Sequence, residues 1–372
     1  MKRSGILLSI ACLLATSAAA QTPARTARAP ARSKAAVAVG DTTKPKLKAI
    51  WEPVNYPQDA ELTDVFFVSA EVGWVTGLKR TDGGEGGFII HTTDGGEHWN
   101  LQLGDPHSAN RALTNLFFLD PTHGWAGQFG GQLMRTADGE NWESAATFAT
   151  LTPYQFTSPT TGFSIINSEL RRSNDGGHSW KPILNCQVHV EVDGLQRDVN
   201  CNFVSLRFAT PEVGYVTSDR LPNNTGAVFK TQDGGTTWKQ ISFLPTAARE
   251  SSIGFADANT GFVKVEGEKL MGTFDGGQTW RGLPVTVPGG RPPIRFADHE
   301  VGWIVEGTTF AYTNNGGKRW NAVEIRLPAR INTFALPRRD RGYVIGDHGM
   351  IYRYRIVPID YTSKGMIAAP VM

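Results

Sequence analysis

The sequence predicts an all-β fold, a seven-bladed β-propeller of four-stranded antiparallel blades. Three observations carry this prediction: a turn motif with six copies, a paired aromatic motif with seven copies, and a repeat length of about forty residues. The 372 residues include 41 glycines and 10 tryptophans, and no long helix-forming run follows residue 50. Many short strands joined by tight turns are therefore expected.

The first repeated motif is the turn Thr/Ser-x-Asp-Gly-Gly-x-x-Trp. Its Asp or Asn oxygen is expected to accept backbone N–H groups across a hairpin turn, and its glycines to adopt positive φ angles. The Trp then returns to the strand and buries its ring against a neighbour. One copy is shortened and one has Asn for Asp; the acceptor and Trp pairs are Asp94 and Trp99, Asp138 and Trp142, Asp175 and Trp180, Asp233 and Trp238, Asp275 and Trp280, and Asn315 and Trp320.

The second motif is a Phe on strand one followed, seven residues later, by a Gly-aromatic pair that opens strand two. The seventh copy has two extra residues in its turn. The pairs are Phe67 with Trp74, Phe118 with Trp125, Phe156 with Phe163, Phe208 with Tyr215, Phe255 with Phe262, Phe296 with Trp303, and Phe334 with Tyr343.

Seven strand pairs but only six turn motifs leave the last blade without its fourth strand. The segment Ala49–Pro53, which contains Trp51, resembles the segments that follow the turn motifs elsewhere. We therefore predict that this N-terminal strand completes the last blade and closes the ring. Closure protects the strand edges that a linear stack would leave exposed at its two ends.

The N-terminal residues have the layout of a secretory signal peptide. Lys2 and Arg3 precede an apolar run, and small residues end at Ala20, so residues 1–20 are predicted to be removed on export. Cys12 leaves a lipoprotein as the less favoured alternative. A secreted chain, periplasmic or extracellular, is expected.

Three further segments complete the predicted organisation. Residues 21–47 form a flexible linker rich in Ala, Pro, Arg and Lys that could touch an anionic membrane, residues 48–357 the propeller, and residues 358–372 a C-terminal tail. The net charge of +2 is too small to indicate nucleic acid as the partner. A monomer without cofactor or bound metal is expected.

Two cysteines, Cys186 and Cys201, remain after removal of the signal peptide. An even number in an exported chain favours a disulfide, and two buried free thiols are the alternative. Nearby, His189, Glu191 and Asp193 alternate along the chain, but three ligands without a fourth are a weak indication of a metal site.

The turn motif resembles the Asp-box, or BNR repeat, of sialidases and sortilin-type receptors. Together with Gly-Trp openings such as Asp120-Pro121-Thr122-His123-Gly124-Trp125, the pattern is most similar to the photosystem II stability/assembly factor family. That resemblance implies a seven-bladed propeller that binds assembly intermediates of a membrane complex. It covers nearly the whole mature chain and is more specific for fold than for function.

A carbohydrate-active or carbohydrate-binding propeller is the alternative function. Sialidases carry a Phe/Tyr-Arg-Ile-Pro motif, and the nearest string here, Arg291-Pro292-Pro293-Ile294, has the wrong order. A glycosidase needs two acids near the axis, and Asp64 on an innermost strand has no evident mate. No catalytic residue is predicted, and an exported binding scaffold for a protein partner is the favoured function.

The meander topology separates two faces of the ring. The box face carries the one–two and three–four turns, including the Asp-boxes. The loop face carries the two–three turns and the inter-blade connections, which are enlarged at Leu78 to Gly87, Ser218 to Gly226 and Asn185 to Asn202. Variable loops favour this face for partner binding. An arginine-rich cluster near the C-terminus is a second candidate for partner binding: Arg326, Arg330, Arg338, Arg339, Arg341, Arg353 and Arg355.

Overall fold

The computed structural model describes residues 47–81, 84–104, 112–148, 152–246, 248–265, 269–287 and 293–359. Their regular structure is all β, and they include no helix of the length and apolar character needed to cross a membrane. The predicted signal peptide with Cys12, the linker except its last residue, and the tail beyond residue 359 lie outside the described residues.

Seven sheets of four strands form the blades, and the first strand of each lies nearest the axis. Blade 1 contains β2 (Glu61–Phe67), β3 (Gly73–Thr81), β4 (Gly84–Thr92) and β5 (Asn100–Leu103). Blade 2 contains β6 (Leu113–Phe118), β7 (Gly124–Gln128), β8 (Gln132–Thr136) and β9 (Glu143–Thr147). Blade 3 contains β10 (Tyr154–Phe156), β11 (Gly162–Ile166), β12 (Glu169–Ser173) and β13 (Lys181–Leu184). Blade 4 contains β16 (Phe203–Phe208), β17 (Gly214–Ser218), β18 (Gly226–Thr231) and β19 (Lys239–Leu244). Blade 5 contains β20 (Ala248–Phe255), β21 (Gly261–Val265), β22 (Lys269–Thr273) and β23 (Arg281–Thr286). Blade 6 contains β24 (Ile294–Phe296), β25 (Val301–Glu306), β26 (Thr309–Asn314) and β27 (Asn321–Glu324). Blade 7 contains β28 (Ile331–Arg338), β29 (Arg341–Gly346), β30 (Ile351–Pro358) and β1 (Leu47–Pro53), and a separate hairpin contains β14 (Gln187–Val192) and β15 (Leu195–Asn200).

The two ends of the described chain close the ring, which confirms the predicted fold. β1 pairs antiparallel with β30 in a register that sets Trp51 opposite Tyr354. The Trp51 ring lies 5.4 Å from the Tyr354 ring and 5.9 Å from that of Trp303 in blade 6, centroid to centroid. The closing strand is therefore held by an aromatic cluster as well as by its hydrogen-bond ladder.

The paired aromatic motif packs one blade against the next. The Trp74 ring of blade 1 stacks at 3.6 Å on Phe118 of blade 2, and Trp125 stacks at 3.6 Å on Phe156 of blade 3. Tyr343 of blade 7 completes the circle by stacking on Phe67 at 3.7 Å. Each strand-two aromatic thus contacts the Phe of the following blade, so the repeat specifies neighbour packing around the ring.

The glycine before each strand-two aromatic has a steric cause. A Cβ built on Gly73 would lie 2.4 Å from the Phe67 ring of the same blade. Real Cβ atoms do not approach so closely, so the Phe ring covers a backbone position that only glycine can fill. The preceding Phe therefore explains this glycine in blades 1 to 6, whereas in blade 7 a Cβ on Gly342 would lie 2.4 Å from the Trp303 ring of blade 6.

The repeated turn motifs, called boxes from here on, contain networks of hydrogen bonds. In blade 4 the Thr231 hydroxyl donates to Asp233 at 2.8 Å and accepts the Gly235 N–H at 2.9 Å. Asp233 also accepts the Thr237 hydroxyl at 2.7 Å and its backbone N–H at 2.9 Å. The Thr237 hydroxyl, followed by the Thr237 N–H and the Thr231 hydroxyl, lowers the pKa of Asp233 to about 2. The polar groups of the turn thus satisfy one another, whereas the indole N–H of Trp238, which ends the box, is buried without a partner among the described residues.

Candidate functional site

The loop face carries two hairpins that the blade repeat lacks. The β3–β4 hairpin of blade 1 remains paired out to Thr81 and Gly84, so the predicted enlarged turn at Leu78 to Gly87 is largely an extended ladder. The second is the β14–β15 hairpin, which forms the enlarged connection predicted between Asn185 and Asn202. Both give this face ordered backbone beyond the ring.

A disulfide and apolar packing fix the β14–β15 hairpin. Cys186 and Cys201 are bonded across its base, with Cα atoms 5.0 Å apart. Val188 and Val190 are buried in a cluster that includes Phe203 of blade 4. The alternation of the hairpin therefore directs valines inward and polar residues outward.

The outward side of this hairpin holds the three residues considered as metal ligands. His189 pairs with Asp198 of the neighbouring strand at 2.9 Å, and Asp193 lies in the turn with a φ of 54°. Glu191 accepts a long hydrogen bond from Gln196. Among the described residues no group of three or more potential ligands is placed to hold a metal ion.

A groove crosses the loop face where blades 7, 1 and 2 meet. Its cavity of about 510 Å³ has polar and apolar walls, and we call it the loop-face groove: Glu61, Thr63, Leu78, Arg80, Ala112, Thr114, Phe129 and Asn332. Phe129 lies in the β7–β8 turn and is 52% exposed. A neighbouring cavity of about 430 Å³ shares Glu61, Leu78, Arg80 and Asn332. An exposed aromatic beside a polar groove is the arrangement that protein interfaces use as an anchor.

The central channel contains a cavity of about 420 Å³ between the innermost strands. Asp64 lies there and is buried; its carboxylate accepts the Val65 N–H and the Leu116 N–H, each at 2.8 Å. The Arg295 guanidinium is 3.6 Å from the same carboxylate. Burial raises the pKa of Asp64, while Arg295 and the two backbone N–H groups act in the opposite direction. Asp64 thus joins blade 1 to blade 2.

A second arginine lines the same cavity. Arg207 of β16 has no hydrogen-bond or ion-pair partner among the residues that the structure describes. Burial, followed by repulsion from Arg295, lowers the pKa of Arg207 to about 10. The sequence analysis missed both channel arginines, although Arg207-Phe208 and Arg295-Phe296 repeat one strand-one position.

The predicted arginine cluster is divided between the two faces. Arg338, Arg339 and Arg341 flank the box-face turn of blade 7, whereas Arg330 borders a loop-face cavity. Five of the seven arginines have carboxylate partners, in the pairs Arg326–Glu324 at 3.4 Å, Arg338–Asp340 at 2.8 Å, Arg339–Asp298 at 2.9 Å, Arg353–Glu97 at 2.8 Å and Arg355–Glu52 at 3.3 Å. Much of this positive charge is therefore compensated within the chain.

The described residues that line the channel offer one carboxylate for acid–base chemistry. Asp64 is the one acid among the described residues that line the cavity, and its oxygens are engaged as given above. Glycoside hydrolysis ordinarily requires two carboxyl groups that flank the scissile bond. The described part of the channel contains one such group.

Comparisons with known proteins extend these observations. No protein-family model matches the chain. The photosystem II assembly lipoprotein Ycf48 of Synechococcus sp. (strain CC9902) is 24% identical over 318 residues, which cover 82% of this chain and 88% of that protein. The photosystem II assembly protein Ycf48 of Thermosynechococcus vestitus is 23% identical over 324 residues, 82% of this chain and 84% of that protein.

Solved structures give the same result for the fold. The structure of YCF48 bound to D1 peptide matches with a TM-score of 0.57 and 18% identity, over 82% of this chain and 96% of that chain. The GH74 xyloglucanase of Xanthomonas campestris matches with a TM-score of 0.51 and 13% identity, over 82% and 53% respectively. The chain is therefore a propeller like the photosystem II assembly factors, as its sequence predicted.

Proposed function

We propose that this chain is an exported, non-catalytic scaffold that binds a polypeptide of a protein partner during assembly of a membrane complex. The observation that carries the proposal is the similarity, over 82% of the chain, to proteins named for photosystem II assembly. One solved relative holds a peptide. The partner class is thus a polypeptide of a membrane-complex intermediate.

The loop-face groove is the docking surface that we propose for this polypeptide. Phe129 provides an exposed ring, and Thr114 adds a hydroxyl to the wall. The Thr63 hydroxyl and the Asn332 amide N–H groups are already hydrogen-bonded within the chain. A guanidinium nitrogen of Arg80 lies 3.8 Å from a carboxylate oxygen of Glu61, and both side chains are exposed. The groove therefore also presents a positive and a negative charge. A polypeptide needs an apolar anchor together with hydrogen-bond partners for its backbone, and this groove has both.

The matched variants are Phe129→Ser and Phe243→Ser, which remove an exposed Phe from the groove and from the outer strand of blade 4 respectively. Tagged protein is cross-linked in envelope membranes, and the partner identified with the native chain is quantified for each variant. We expect at least a tenfold loss with Phe129→Ser and little change with Phe243→Ser. Equal capture by both variants would remove the groove from the proposal.

The predicted arginine cluster is the alternative docking surface. Arg339 is about half exposed and pairs with Asp298 and Glu300 on the box face. Loss of the same partner with Arg339→Gln, together with normal capture by Phe129→Ser, would move the contact to the box face. This outcome would keep the proposed partner binding and show that the loop-face groove is the wrong surface for it.

An enzymatic function rests on the xyloglucanase likeness, which at 13% identity carries the fold alone. A hydrolysis screen over plant and bacterial glycans tests it, with the Asp64→Asn variant as the control. Turnover that disappears in the variant would overturn the non-catalytic proposal.

Export is proposed from residues 1–20, and the flexible linker from residues 21–47. The relative from Synechococcus is named a lipoprotein, which makes lipidation at Cys12 the alternative to cleavage after Ala20. Intact mass of the exported protein distinguishes the two, because cleavage after Ala20 leaves Gln21 as the first residue. The mature chain is proposed to be a monomer with peripheral membrane contact through its linker, which light scattering and vesicle flotation test.

A further inference from the structure

One position of strand three lies at the interface between neighbouring blades. It is the residue directly opposite the strand-two aromatic in the antiparallel ladder. In four blades this residue is a permanent cation: Arg135 in blade 2, Arg172 in blade 3, Lys230 in blade 4 and Arg353 in blade 7. In blade 1 the same position holds His91, opposite Trp74. A group that can lose its charge thus stands where the repeat elsewhere places a fixed one.

The fixed cations join their blade to the box of the next blade. The Lys230 ammonium donates to the Gly276 carbonyl at 3.0 Å, and the Tyr215 hydroxyl donates to the same oxygen at 3.0 Å. Arg353 donates to the Gly95 carbonyl in the box of blade 1, also at 3.0 Å. At these two interfaces a charged side chain is therefore matched by a box carbonyl that accepts from it.

The interface between blades 1 and 2 is built differently. The box carbonyl of Gly139 accepts the Gln102 amide at 2.8 Å and the Trp74 indole N–H at 3.4 Å, so Gln102 takes the place of the cation. The Nε2 atom of His91 is buried and has no partner among the described residues. Its ring stacks on Trp74 at 4.6 Å, and Trp74 stacks in turn on Phe118 of blade 2 at 3.6 Å. His91 thus belongs to the ring stack that joins the two blades.

A proton on this ring would create an unsatisfied buried donor. The protonated imidazole carries N–H on both nitrogens, and the buried Nε2 has no acceptor in reach. Burial accordingly lowers the pKa of His91, whereas the Glu140 carboxylate in the box of blade 2 acts in the opposite direction. The other residues against the ring are uncharged, Trp74 in β3 and Asn100 opposite His91 in β5.

We infer that His91 makes the interface between blades 1 and 2 sensitive to protons, so that mild acid weakens this contact selectively. The pKa of the folded protein lies below the ordinary value of about 6.5, so the neutral ring is favoured in the folded state. Its stabilisation is present above pH 6.5 and is lost as the pH falls through the lowered pKa. The inference concerns the ring itself and stands whether or not the loop-face groove docks a partner.

The first test is an NMR titration of the histidine Cε1–H resonances in the mature protein, in which the signal missing from His91→Phe identifies His91. We expect this resonance to titrate below pH 6.5. Because this measurement uses the native chain, it decides the question even if the variant folds poorly. A pKa at or above 6.5 would mean that Glu140 and the face of the Trp74 ring stabilise the charged form, and would overturn the inference.

The second test is urea unfolding at pH 7.5 and pH 5.5 of the native chain, His91→Phe and the control His299→Phe. Phenylalanine keeps a ring for the stack but cannot take a proton, and His299 is an exposed residue of blade 6. Between the two pH values the unfolding constant of the native chain should rise several-fold more than that of His91→Phe. His299→Phe should follow the native chain. Equal pH dependence of the native chain and His91→Phe would place the responsible proton elsewhere.

Amide hydrogen exchange locates the effect. At pH 5.5, relative to pH 7.5, the protection factors of β3 and β4 should fall more in the native chain than in His91→Phe, and more than those of β17 and β18 in blade 4. Blade 4 is the internal control because Lys230 holds the corresponding position there. A loss of protection spread evenly over the seven blades would overturn the assignment to this one interface.

Discussion

The box face and the loop face use the same repeat differently. On the box face the turns repeat with one hydrogen-bond pattern, and arginines such as Arg338 and Arg339 have carboxylates in reach. The loop face has unequal hairpins and the exposed Phe129, and between the faces Arg207 and Arg295 line the channel. Regular sites close and stabilise the ring, whereas the irregular loop face is the one that we propose for a partner.

The largest expected effect is at ring closure, on which the division into two faces depends. Trp51→Ala removes the aromatic contacts of the closing strand with Trp303, Phe310 and Tyr354. Truncation of a packed Trp costs about 3 kcal/mol of unfolding free energy. Urea unfolding measures the loss, with the exposed Val323→Ala in β27 as the control. A loss below about 1 kcal/mol, within the range of surface substitutions, would show that the hydrogen-bond ladder alone closes the ring.

The next prediction compares one glycine from each face of blade 6. Gly317 of the box and Gly307 of the β25–β26 turn both have positive φ, 75° and 58°. A Cβ on Gly317 would lie 1.9 Å from the Phe262 ring of blade 5, whereas a Cβ on Gly307 meets no atom within 4 Å. Gly317→Ala should therefore cost about 3 kcal/mol, from overpacking and backbone strain together.

Gly307→Ala should cost only about 1 kcal/mol, because it carries the backbone strain without the clash. Thermal and urea unfolding of the two variants give the difference. Similar losses for the pair would mean that backbone conformation, and not contact with the neighbouring blade, explains the second glycine of the box.

The repeat made the fold predictable, because each copy independently indicated a turn, a strand opening and a buried ring. Closure by Trp51 followed from counting copies. The channel chemistry could not be read in the same way, since whether Arg207 has a counter-charge depends on where Asp64 and Arg295 point across the ring. The hairpin between Cys186 and Cys201 carried a local signal in its alternating valines, Val188 and Val190, but no repeat to support it.

The smallest expected effect concerns the negative charge of the box carboxylate. The box of blade 6, which has an uncharged Asn at this position, is its natural control. Five boxes have Asp, but blade 6 has Asn315, whose amide oxygen accepts the Arg319 N–H at 2.9 Å without titrating. Hydrogen bonds from Thr237 lower the pKa of Asp233 to about 2, below the value of about 3.9 in an unfolded chain. The charged form is thus favoured in the folded state. Its stabilisation is present above pH 4 and is lost as the pH falls from about 4 to about 2.

Asp233→Asn should therefore be less stable than the native chain at pH 6, and the difference should shrink at pH 3. The substitution Asn315→Asp is expected to act in reverse, adding stability at pH 6 that falls away below pH 4. Urea midpoints at the two pH values measure both changes. A stability difference for Asp233→Asn that does not change with pH would mean that the box needs only an acceptor oxygen at this position. The carboxylate charge would then contribute nothing to the stability of the box.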